Sequence, residues 1–164
     1  AGARAGDLRR TTMTGGGGEQ QGAGERRART QQLVNDLLRE RELLLVRYCR
    51  VAGLEPYHHH EGEDLERLLR DFCQVLVDYV AAVEFELLSR LTEGTERRRE
   101  VLRTAESCYG DIAASEEVVL AFNDKYETLG EPHLLDSLSQ DLSALGDTLA
   151  GRFELEDRMF GALR

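Results

Sequence analysis

The sequence has no tryptophan, two prolines and two methionines in 164 residues, with only five phenylalanines and five tyrosines. So thin an aromatic supply leaves little to pack a β-sheet, and no stretch alternates apolar and polar residues as a half-buried strand does or carries a hairpin turn signal. Long apolar runs are missing too. None approaches the roughly 20 residues needed to cross a bilayer, and the N-terminal residues lack the apolar centre of a secretory leader. The protein is therefore expected in the cytoplasm, without membrane contact. Cysteine is scarce: Cys49, Cys73 and Cys108 are odd in number, far apart and set in helical-looking segments, so they read as reduced thiols rather than a disulfide framework.

Positive charge is in the minority, 21 Lys+Arg against 31 Asp+Glu. Residues 1–30 hold six Arg and three acids, which leaves 15 basic and 28 acidic residues beyond them, a net charge near −13. A surface that acidic repels phosphate backbones and anionic headgroups, so direct nucleic-acid binding is not expected. It favours a basic protein partner.

The length suits one domain with a tail. Residues 1–25 contain Gly15-Gly16-Gly17-Gly18 and almost nothing apolar, which cannot offset the entropy of ordering, and they read as a disordered tail. Residues 26–164 read as helical. Leu33, Leu37, Leu38, Arg41, Leu44, Leu45, Tyr48 and Val51 recur at three- and four-residue steps up to Gly53-Leu54-Glu55-Pro56. A second helix is predicted from about Glu63 to Leu91, with Glu61, Glu63 and Asp64 at its positive end. A third runs from about Thr95 to Thr128 with a break near Gly110, and after the turn Gly130-Glu131-Pro132 a last helix carries Leu134, Leu138, Leu142, Leu145, Leu149, Phe153, Glu156 and Phe160. The expected fold is all-α, an antiparallel four-helix bundle.

The middle of the second helix, Asp71 to Phe85 (DFCQVLVDYVAAVEF), is apolar almost throughout yet carries a carboxylate at Asp78. At roughly 100° per residue, Leu65, Leu68, Leu69, Phe72, Val75, Leu76, Tyr79, Val83 and Leu87 form the core face. Asp78 lies far round from it, in a narrow sector with Asp71, Gln74, Ala81 and Phe85, while Val77 and Leu88 sit on the shoulder. Either Asp78 is an ordinary surface charge and Phe85 tucks under a loop, or Val77, Ala81, Phe85 and Leu88 form an apolar platform edged by Asp71, Asp78 and Glu84 for a basic, amphipathic partner.

Constellations that carry chemistry are sparse. Only Glu55-Pro56-Tyr57-His58 has the Glu-x-x-His spacing of a di-iron bundle, and its proline spoils the helical geometry, so neither a metal nor any other cofactor is expected. His58-His59-His60 reads as a solvated loop. Without a C-x-x-C pair, Cys49 and Cys73 read as small core residues. Gly15–Gly18 is no phosphate loop, since no Gly-Lys-Ser/Thr follows. Arg97-Arg98-Arg99 reads as a solvated helix face, and Arg152, Glu156 and Asp157 either as bundle scaffolding or as a polar interior site. The protein is expected not to be an enzyme.

The run from Asp71 to Phe85 resembles the signature of the Rsd/AlgQ family, D-F-C-Q-x-L-V-D-Y-x-S-A-G-H-F, matching at Asp71, Phe72, Cys73, Gln74, Leu76, Val77, Asp78, Tyr79, Ala82 and Phe85 and departing at Ala81, Val83 and Glu84. Leu33-Val34, Leu38, Arg41, Leu44-Leu45-Val46, Tyr48, Gly53 and Pro56 resemble the family's first helix and its G-x-x-P turn, although Asn35, Asp36 and Leu37 stand where the family has D-R-W. Gly146, Leu149, Arg152, Phe153, Leu155, Glu156 and Asp157 resemble its G-x-x-L-x-x-R-F-x-L-E-D. The resemblance implies a bacterial regulator that grips domain 4 of the primary sigma factor and sequesters it from core RNA polymerase and from the −35 promoter element. It implies a contact built from Asp71, Gln74, Asp78, Tyr79, Ala82, Glu84 and Phe85, in which Asp78 accepts from an arginine of sigma and Tyr79 and Phe85 lie in or beneath the interface. Two alternatives stay open: a regulator of the same fold whose main partner is a phosphocarrier or a stringent-response enzyme, and a small-ligand-binding bundle using space around Leu37.

Overall fold

The computed structural model describes residues 17–54, 64–92, 98–128, 130–131 and 133–164. Among the described residues there is no strand. Helix α1 spans Gly17–Ala52, α2 Leu65–Ala82, α3 the single turn Ser89–Thr92, α4 Arg99–Glu127 and α5 Leu138–Leu163. A π-helical segment, Val83–Leu88, joins α2 to α3, and a 3-10 turn, Leu134–Ser137, leads into α5.

The sequence dictates most of these bounds locally. Helix α1 buries Val34, Leu37, Arg41, Leu44 and Val51; of the other residues that its three- and four-residue spacing singles out, Leu33, Leu38 and Tyr48 are half-buried, and Leu45, expected inside, is 42% exposed. It closes with Gly53 at φ 71, Gly53 N donating to Arg50 O (3.4 Å) and Leu54 N to Cys49 O (2.8 Å). That paired arrangement satisfies the last carbonyls and needs a left-handed residue, which glycine supplies without a Cβ penalty. Its start differs from expectation: the helix begins at Gly17, inside the stretch that composition assigns to a tail, and its first turns are exposed. Residues 1–16 lie outside the described residues. Helix α2 is capped by Asp64, whose carboxylate accepts from Glu66 N at 3.0 Å.

Two expectations are corrected. Helix α4 runs through Gly110 without a break. A glycine in mid-helix costs only about 1 kcal/mol relative to alanine, and burial of Cys108 and Ile112 on either side outweighs it. The second correction concerns Leu88, expected on the outer shoulder of α2 but only 3% exposed. The π segment carries an extra residue round its turn, which shifts the phase of everything after it, so that Leu87 and Leu88 both face inward.

Contacts between the helices fix an up-down-up-down bundle. Arg41 and Tyr48 of α1 meet Tyr79 and Phe72 of α2 in reverse order. The same two residues meet Asp157 and the Leu142 carbonyl of α5, again reversed. Phe72 and Leu88 reach Phe122 and Tyr109 of α4. Ser107, Ser115 and Lys125 of α4 meet Arg158, Arg152 and Asp141 of α5. Every neighbouring pair is antiparallel, as short connections require.

Gly146 has a specific packing role. A Cβ there would sit 3.0 Å from Tyr48 Cζ and closer still to its hydroxyl, which donates to Leu142 O at 2.7 Å. Gly146→Ala is therefore expected to lower stability by about 1–3 kcal/mol through overpacking, despite alanine's better helix propensity. Gly151→Ala, where nothing lies within 4 Å, is expected to gain up to ~1 kcal/mol. Urea-unfolding midpoints of the two variants should move in opposite directions.

Candidate protein-docking site

The two faces of α2 differ in what they hold. Inward, Tyr79 enters a polar network that touches all four long helices. Its hydroxyl accepts from Arg41 Nε at 3.1 Å and donates to Glu156 Oε1. Arg41 Nη2 donates to the same Glu156 oxygen at 2.9 Å, and Arg41 Nη1 to Asp157 at 2.6 Å. The other oxygen of Glu156 accepts from Arg152 Nε at 2.8 Å, and Arg152 Nη1 donates to Ser115 Oγ at 2.9 Å. The Arg41 guanidinium also lies 4.6 Å from the centre of the Phe153 ring, in cation–π contact.

Burial alone would disfavour the charged Arg41, but its hydrogen bonds to Tyr79 and Asp157 and the attraction of Glu156 hold its pKa above the ordinary value. Burial and the Glu156 carboxylate likewise push the Tyr79 phenol up, so it stays a neutral donor. Of the two readings of Arg152, Glu156 and Asp157, the geometry favours scaffolding. Arg152 and Glu156 are 1% and 0% exposed, bond to each other along α5, and reach Ser115 of α4, Arg41 of α1 and Tyr79 of α2.

Outward, α2 and the π segment present several exposed acids and one exposed ring. Phe85, on the π segment, is 74% exposed rather than tucked under a loop. Asp71, Gln74, Asp78 and Glu84 are exposed, Gln74 Nε2 donating to Asp78 Oδ1 at 2.9 Å, and Ala82 is half-buried. Tyr79 is 1% exposed and lies beneath this surface rather than in it, because its hydroxyl is held by Arg41 and Glu156. The face extends onto α1 in a way that no single-helix pattern reveals. Burial, followed by repulsion from Glu86, Asp36 and Asp78, pushes the Glu40 carboxyl above its ordinary range. Asp36 and Glu40 of α1, Asp78 of α2 and Glu86 of the π segment thus form one acidic cluster. The only local hint was the i, i+4 spacing of Asp36 and Glu40.

Other sequence candidates separate from this face. Cys49, Cys73 and Cys108 are free thiols, and burial pushes that of Cys73 up to about 11, which keeps it an inert core group. Arg98 stands at the N-terminus of α4, both guanidinium Nη atoms 3.4 Å from the Leu163 carbonyl at the end of α5. Arg97, the His58-His59-His60 run and Glu55 lie outside the described residues. Leu37 is sealed in the core, while a surface groove of about 440 Å³ runs between Tyr48, Val51, Leu65, Leu138 and Leu142 and does not include it. No helix among the described residues is long and apolar enough to cross a membrane.

An acidic antiparallel bundle, with its interior charges paired to one another and an exposed aromatic on the acidic outer side of its second helix, has the make-up of a protein-binding module. The family model described as regulator of RNA polymerase sigma(70) subunit, Rsd/AlgQ, matches residues 18–164. The chain is 30% identical over 134 residues to the regulator of sigma D of Yersinia enterocolitica, covering 79% of each. It is also 30% identical over 135 residues to the regulator of sigma D of Shigella dysenteriae, covering 82% of this chain and 85% of that one, and equally to that of Escherichia coli O1:K1. No solved structure matches. The chain belongs to the Rsd/AlgQ family of regulators of the RNA polymerase sigma(70) subunit, and these relatives are named as regulators rather than enzymes.

Proposed function

We propose that this protein binds domain 4 of the primary sigma factor through the face around Asp78 and Phe85, and so sequesters sigma from core RNA polymerase and from the −35 promoter element. The observation that carries the reading is Phe85, a phenylalanine 74% exposed about two turns along the chain from the exposed Asp78. A domain that reads promoter DNA must present basic side chains to phosphates. An acidic surface with one aromatic anchor can occupy those side chains, and the competition is then steric and electrostatic, without catalysis. Asp71, Gln74, Glu84 and Ala82 complete the contact, with Tyr79 supporting the helix from below.

The test is co-elution of the purified chain with sigma domain 4 on a sizing column. A complex at micromolar concentration in low salt that dissociates as salt rises is the expected result. Separate elution of the two under those conditions overturns the proposal.

A further inference from the structure

The exposed apolar residues on α4 were not part of the sequence signature, and one of them faces the same way as Phe85. Leu120 is 53% exposed. It lies one turn after Glu116, whose carboxyl interacts with that of Glu84 across the α2–α4 boundary, so Leu120 is on the shoulder of α4 turned toward α2. On α2 the matching shoulder carries Val77 and Ala81, seven and three residues before Glu84 and both half-buried. The Glu84–Glu116, Leu88–Tyr109 and Phe72–Phe122 contacts fix the antiparallel register. Within a residue, that register sets Val77 opposite Leu120 and Phe85 opposite the exposed Ala113. Phe85 and Leu120 thus stand at the two ends of the α2–α4 seam, a channel edged by the half-buried Val77 and Ala81.

Its middle is polar and incompletely satisfied. Glu116 Oε1 is buried and accepts no hydrogen bond, although Arg152 Nη1 lies 3.7 Å away. Burial and the neighbouring Glu84 both push the Glu116 carboxyl up, with Arg152 acting against them. Two carboxylates held side by side over an apolar channel repel each other, and a cation placed between them relieves that repulsion.

We propose that this channel receives one amphipathic helix of the partner, with apolar anchors seven or eight residues apart seated on Phe85 and Leu120 and a lysine or arginine between them set against Glu84 and Glu116. The spacing follows from geometry: Phe85 and Val77 are eight residues apart, about 12 Å along a helix at roughly 1.5 Å per residue. A docked helix spans that distance with two anchors on one face. The inference rests on the sigma-binding reading and adds the orientation and sequence pattern of what is bound.

Val118 supplies the control. It is also an exposed apolar residue of α4, but two positions from Leu120 it points to the opposite shoulder. Dissociation constants for sigma domain 4 should be measured by titration calorimetry with the unmodified chain, Leu120→Ser and Val118→Ser, with circular dichroism and melting curves to show that all three are folded. At least tenfold weaker binding for Leu120→Ser, with Val118→Ser within threefold of the unmodified chain, supports the channel. Leu120→Ser binding within threefold overturns it while leaving sigma binding intact. Equal losses in both variants overturn it as well, since the effect is then not confined to the channel. No binding by the unmodified chain overturns the reading on which the channel rests, and the channel with it.

Discussion

Glu156→Ala is expected to cost about 3–5 kcal/mol of folding stability, the range for removing one member of a buried ion-pair network. The carboxylate is fully buried and is the one anion that Arg41, Arg152 and Tyr79 share. Without it Arg152, itself 1% exposed, keeps Ser115 and a distant Glu116, and a guanidinium is left charged in the bundle interior with too few acceptors. Arg41 retains the exposed Asp157 and suffers less. In a domain of this size each 1 kcal/mol moves the melting temperature by roughly 2–4 °C, so a fall of about 6–20 °C is expected in a thermal scan. Asp157→Asn is the contrast. Its carboxylate is 60% exposed, and a pair so open to solvent contributes at most about 1 kcal/mol. Equal losses for the two variants would show that the network is not the buried hub described above.

Much of this fold was readable from spacing alone, and the exceptions have specific causes. On α2 the wheel puts Leu65, Leu68, Leu69, Phe72, Val75, Leu76, Tyr79, Val83 and Leu87 inside, and all are buried except Leu65 and Val75, which are half-buried against the core. It misses Cys73 and Val80, which a broader apolar face also covers, and Leu88, because a π turn changes the residues per turn in a way that an ideal wheel cannot represent. Arg41 and Glu156 stand in the apolar rhythm of their helices, which marks them as charges at core positions. Their pairing to each other, 115 residues apart, depends on how α1 and α5 align and was not legible. By contrast Arg152–Glu156 is an i, i+4 pair and is visible in the sequence.

The proposed docking face divides in the same way. Asp78 and Phe85 are distinguished by their position on a single helix. Glu40, Asp36 and Leu120 acquire meaning only when α1 and α4 are laid beside α2. A helix wheel tells inside from outside, but it does not tell which shoulder meets which neighbour. The tertiary register supplies that, through contacts such as Leu88–Tyr109 that no local pattern encodes.

Asp78→Arg is expected to abolish detectable sigma binding while leaving the fold intact. In the free protein Asp78 is exposed, and its oxygen accepts a solvent-facing hydrogen bond from Gln74. Loss of that bond costs about 1 kcal/mol at most, and an arginine there would meet Glu40 and the other carboxylates crowding the α1–α2 face, an attraction that offsets part of the loss. Helicity and melting temperature should therefore stay close to those of the unmodified chain. Against a basic partner the same exchange removes one member of an interfacial ion pair and adds a like charge. The first change alone is worth about 2–5 kcal/mol when the pair is desolvated, or roughly 30-fold to several thousand-fold in Kd. Calorimetric titration at low salt reads the loss directly. Binding within threefold of the unmodified chain would move the interface off this face, and a large fall in melting temperature would mean that Asp78 supports the bundle instead of displaying a charge.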